Sequence, residues 1–165
     1  MFEIFMIISG VVARLLPHLP NFTPIAATAL FGGVYMKKRY AIIIPLVAMF
    51  VSDIFIGFHA MMPYVYGSFI LTGLIGMYLH THKNVQNVAA AALISSILFF
   101  LITNFGVWAG GMYARNLSGL LESYVMAIPF FRNTLLGDLF YTGAFFGAYE
   151  LVKMIVYNLR VKTTV

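Results

Sequence analysis

The chain has 165 residues, 62% of them hydrophobic and 9% charged, with a mean hydropathy of +0.94. That leaves too little polar surface to coat a water-soluble globule of this size, so the sequence belongs in a bilayer. The net charge of +5 does not point to nucleic acid, because the basic residues sit in small groups at the ends of apolar runs; the lack of Cys excludes disulfides and thiolate metal sites.

No linker or low-complexity tract divides the chain, so a single integral membrane domain over 1–165 is expected. The first apolar run, Phe2 to Leu16, has neither a basic leader nor a small-x-small cleavage site and reads as a helix rather than a cleaved signal. After Pro17-His18-Leu19-Pro20-Asn21 comes a second run, Phe22 to Met36, in which Ala29 and Gly33 form a small-xxx-small pair suited to close helix packing. Its 15 residues cover only about 22 Å at ~1.5 Å per residue, short for a span. Lys37-Lys38-Arg39 closes it.

The third run, Tyr40 to Phe58, contains Pro45 and Ser52-Asp53 and leads into a connection that holds His59. The fourth runs from Tyr64 to Leu79 and the fifth from Val85 to Ala109. Between Gly110 and Phe131 an amphipathic stretch, Leu117 to Ile128, stops at Pro129; it is too short to span and reads as a surface or re-entrant helix. The sixth run is Asn133 to Tyr157. The expected fold is therefore all-α, polytopic, with six transmembrane helices and a short re-entrant or surface helix between the fifth and sixth. With both termini cytoplasmic, seven basic residues (Lys37, Lys38, Arg39, Lys83, Lys153, Arg160, Lys162) lie inside against three outside (Arg14, Arg115, Arg132).

Polar groups inside apolar runs are costly and mark candidate sites. Asn104 and Trp108 are four apart and share a helix face, as do Thr134, Asp138, Tyr141 and Phe145, with Arg132 and Asn133 expected at the outer mouth. Asp53 precedes the loop that carries His59. A cavity fenced by Asp53, His59, Tyr66, Asn104, Trp108, Arg132, Asn133 and Asp138 would suit a small organic ligand with hydrogen-bonding groups. The alternative is that Asp53 with Arg14, or Asp138 with Arg132, form buried ion pairs that lock helices together. No catalytic motif and no carboxylate cluster for a metal is present, so neither an enzyme nor a cofactor is expected.

The segments Arg14-Leu-Leu-Pro-His-Leu-Pro-Asn-Phe-Thr-Pro-Ile-Ala-Ala, Ala29-Leu-Phe-Gly-Gly33, Ser52-Asp53, Gly57-Phe-His59 and Pro129-Phe-Phe-Arg-Asn-Thr-Leu-Leu-Gly-Asp138 are similar to those of a family of uncharacterised bacterial integral membrane proteins. That family resembles the substrate-binding S components of energy-coupling-factor vitamin transporters. The resemblance implies a bacterial inner-membrane protein that captures a vitamin or related small nutrient from outside and works with a membrane coupling subunit and cytoplasmic ATPases. The docking face for the coupling subunit would lie on the first helix, where Ser9, Gly10 and Ala13 stand in for the usual Ala-x-x-x-Ala. Met1-Phe2 lacks the histidine that nickel and cobalt members place after the initiator, so a free metal ion is not the expected cargo; His59 could supply an axial nitrogen to a corrinoid. The alternative from another class is a membrane-embedded structural or assembly subunit without a ligand.

Overall fold

The computed structural model describes residues 2–163, and the side chains of residues 3–159; Met1 and the side chains of Arg160 and Lys162, used above for cargo and orientation, lie outside those bounds. It contains six helices and, among the described residues, no strand: α1 Phe2–Leu15, α2 Ile25–Tyr35, α3 Tyr40–Ile56, α4 Met62–Leu79, α5 Val85–Ala109 and α6 Leu117–Thr163. Three of them, α4, α5 and α6, are long and apolar enough to cross a bilayer. Together with outward-facing Phe50, Phe55, Ile94 and Phe140 this suggests a membrane protein.

Side-chain pairings fix the helix directions. Arg14 meets Asp53 and Gly10 faces Ala48, so α1 and α3 run parallel. Asp53 meets Tyr66 across α3 and α4, and Phe69 meets Phe99 across α4 and α5, so these neighbours are antiparallel. The connections α1–α2, α3–α4 and α5–α6 consequently gather at one end of the bundle, and α2–α3 and α4–α5 at the other.

Helix α2 lies at the centre. Every residue from Ile25 to Val34 is buried, because Ala26, Ala27, Ala29, Gly32 and Gly33 leave room for other helices to close around it. The closest approach is at Gly33, where a Cβ would stand 2.2 Å from the backbone carbon of Gly76 on α4. The chain descends to reach this short helix: Phe22, in the α1–α2 link, packs on Gly137 and Tyr141 halfway down α6.

The largest departure from expectation is α6. It is one helix of 47 residues, roughly 70 Å at ~1.5 Å per residue, and Pro129 lies inside it rather than ending it. The stretch Leu117 to Ile128 is thus no separate surface helix; it runs along α5, with the Tyr124 hydroxyl donating to Leu101 O at 2.9 Å and the Phe100 and Phe131 rings 4.7 Å apart. The physical reason is phase: Gly119, Ser123 and Ala127 before the proline and Thr134, Asp138 and Thr142 after it are all buried on one continuous face. The α5–α6 connection shrinks to residues 110–116. At the other end residues 151–159 project beyond α5 and are exposed.

Candidate functional site

Two buried carboxylates organise the polar interior, and they differ in how they are satisfied. Asp53, fully buried in the last turn of α3, has Oδ1 2.8 Å from Arg14 Nη1 and accepts the Tyr66 hydroxyl on Oδ2 at 2.7 Å. Arg14 Nη1 also lies 2.5 Å from Ser52 Oγ and 3.2 Å from Met49 O. Parallel packing of α1 on α3 brings these groups to one level, and the result is a closed network that joins α1, α3 and α4.

Asp138 has less. It is buried on α6, and among the described residues its one hydrogen-bond partner is Ser96 on α5, whose Oγ is 2.7 Å from Oδ2. A cavity of ≈ 270 Å³ opens beside it. Exposed His18, Asn21 and His59, from the α1–α2 and α3–α4 connections, form the mouth. Arg14, Met49 and Phe69 line the wall, and buried Thr72, Ser95, Thr134 and Asp138, from the middles of α4, α5 and α6, form the floor. Because α2 begins so deep, Thr23 and Ala26 at its start also face the space.

The cavity gathers only part of the set expected from sequence. His59 and Asp138 line it. Asp53 and Tyr66 stand behind its wall and reach it through Arg14. Asn104 lines a smaller adjoining cavity of ≈ 210 Å³ that shares Asn21, Val65, Phe99 and Thr134 with the first. Trp108 lines neither: its indole N–H donates to Ala114 O at 3.0 Å and braces the α5–α6 turn. Arg132 is exposed and Asn133 half-buried, away from Asp138, so the expected outer mouth on α6 does not form there and Arg132 is no partner for Asp138. Gly10 is turned inward, where a Cβ would meet Ala48 and Ile25 at 3.1 and 3.2 Å, while Ser9 and Ala13 are half-buried; Gly10 therefore offers no outward docking face.

Arg14, Thr72 and Ser95 were not singled out as site residues. The signal for the last was present: Ser95-Ser96 is the one polar break in the apolar stretch Val88 to Ile102.

At the opposite end, a mostly apolar groove of ≈ 510 Å³ between α5 and α6 is closed by Tyr35, Lys83 and Glu150. The Tyr35 hydroxyl donates to Glu150 Oε1 at 2.6 Å, and Lys83 forms an ion pair with the same oxygen. That hydrogen-bonded carboxylate holds the Lys83 ammonium above its ordinary pKa. No group of three His, Asp or Glu side chains is arranged to hold a metal among the described residues.

Neither a curated protein nor a solved structure matches the chain. Over residues 1–159 the sequence matches DUF6580, described as a family of unknown function, and the chain belongs to that family.

Proposed function

We propose that this protein is a solute-capturing membrane subunit that takes a small organic nutrient into the His18–His59–Asp138 cavity from the external side of a bacterial inner membrane. In this reading the chain crosses the bilayer six times with both termini cytoplasmic, and it hands its cargo inward in the manner of an S component, in concert with a coupling subunit and ATPases. The observation that carries the reading is the cavity itself: an exposed mouth leading to a buried carboxylate and buried hydroxyls in the middles of three helices. Intramembrane carboxylates of this kind mark ligand or ion paths more often than packing.

The volume bears on the cargo. At ≈ 270 Å³ it falls just below the ~300–1,000 Å³ of drug-sized sites, which favours a compact molecule over a corrinoid. The structural-subunit reading finds its support in the Arg14–Asp53–Tyr66 network, whose opposite charges are paired with each other, but it leaves the floor at Asp138 without a purpose.

Native mass spectrometry of the protein, purified from its own membrane in mild detergent, tests the proposal. A co-purifying small molecule, released by Asp138→Asn, is the expected result. No bound mass, and no thermal shift with any member of a library of vitamins, amines and nucleobases, would favour the structural subunit.

A further inference from the structure

The charges around the cavity do not balance. Four of its lining side chains can carry charge: Arg14, His18, His59 and Asp138. The two histidines sit exposed at the mouth, and Arg14 is neutralised from behind by Asp53 at 2.8 Å. Asp138 has no cation within ion-pair distance among the described residues; its partner is a hydroxyl.

The floor is also short of donors. Thr72 gives its proton to Ser68 O and Thr134 gives its own to Phe130 O, both at 3.0 Å, so each Oγ1 is left as an acceptor toward the cavity. The single Ser96 proton lies between two acceptors, Asp138 Oδ2 at 2.7 Å and Ala92 O at 3.0 Å. Ser95 Oγ, on a residue 1% exposed that lines the same floor, has no hydrogen-bond partner among the described residues, so its hydroxyl is free to accept from, or donate to, whatever lies in the cavity. A buried hydroxyl in that position costs free energy unless something occupies the cavity and bonds to it.

We propose that the cargo presents a positively charged nitrogen, an ammonium or amidinium, to the floor formed by Asp138, Ser95, Thr72 and Thr134. Its N–H groups supply the donors that the floor lacks, and its charge supplies the countercharge that Arg14 cannot, being already paired. Neutral cargo could match the acceptors but would leave the Asp138 carboxylate without a countercharge, and anionic cargo would set a second negative charge beside it. The inference rests on the solute-capture reading and narrows it to a class of small organic cations or of zwitterions that enter amine-first.

The natural absence of cysteine permits a direct test on the full-length chain. In a Ser95→Cys variant the rates of modification by cationic trimethylammonioethyl methanethiosulfonate and anionic sulfonatoethyl methanethiosulfonate are compared, each normalised to its rate with free 2-mercaptoethanol. The cation is expected to react at least about tenfold faster, and Asp138→Asn in the same background to bring the ratio close to one. Thr72→Cys repeats the measurement from α4 should Ser95→Cys fold poorly. Equal rates, or a faster anion, overturn the charge assignment and leave the cavity intact. If neither reagent reaches either thiol in the folded protein, the cavity is closed to solutes, and the capture reading falls together with the charge assignment.

Discussion

Arg14 Nη1 and Asp53 Oδ1, 2.8 Å apart, join two parallel helices through a carboxylate with no solvent exposure. The two partners are not equivalent, since the Arg14 side chain keeps 14% of its surface while Asp53 keeps none. Arg14→Ala should therefore cost more than Asp53→Asn: about 3–5 kcal/mol for a stranded buried charge, against a smaller loss when the amide still accepts from Tyr66. Thermal unfolding in detergent reads the difference, and the reverse order would show that Arg14, not Asp53, is the strained partner.

The crossing of α2 and α4 sets up a contrast between glycines. Gly33→Ala would push a methyl into the Gly76 backbone at 2.2 Å, whereas a Cβ at Gly143 meets nothing within 4 Å. The first change is expected to cost about 3 kcal/mol or more, because backbone yields less than the side chains of ordinary overpacking. The second should be neutral or stabilise by roughly 0.5–1 kcal/mol through the lost freedom of the unfolded chain. Yield of folded protein on gel filtration and the melting midpoint distinguish the two.

Pro129→Ala tests the continuity of α6. A proline inside a helix costs about 3 kcal/mol relative to Ala, so its removal should leave the melting midpoint unchanged or raise it, with helicity by circular dichroism retained. A clear fall in both would mean that the proline is needed as a stop, as the sequence alone implies.

Glu150→Gln removes the carboxylate shared by Lys83 and Tyr35. Both ends of the ion pair are partly exposed, at 34% and 44%, so the loss should stay within about 1 kcal/mol and shrink at high salt. Lys83 has its pKa raised in the fold, so its contribution is complete below the ordinary lysine value and fades only as the pH climbs through the raised one. Melting midpoints between neutral and mildly alkaline pH should accordingly show no loss traceable to Lys83.

What could be read in advance followed from which signals are local. Apolar runs and their basic ends are local, and the first five helices emerged close to their expected bounds, whereas the sixth begins sixteen residues earlier than expected, at Leu117 instead of Asn133. The small residues of α2 announced close packing, and Ala29 and Gly33 do meet α4 at Gly76. Pro129 misled because a helix stop is a local rule, whereas the buried face running from Gly119 to Thr142 on both sides of it is a property of 24 residues taken together. Arg132 misled through proximity: six residues before Asp138 is about 240° around the helix, so the two side chains point apart. Thr72 carries no distinct sequence signal, since a lone hydroxyl in an apolar run usually bonds its own helix, and only the packing of α4 against α5 and α6 turns it and Ser95 toward one floor.

Asp138 and the exposed end of α6 belong to one uninterrupted rod. From Asp138 to Leu159 is 21 residues, about 31 Å of helix, so a tilt of ~10° that opened or closed the cavity floor would sweep the far end sideways by about 5 Å. If the proposed cargo tilts α6 when it settles beside Asp138, the movement would be carried to the opposite end of the bundle without any change in the helix between.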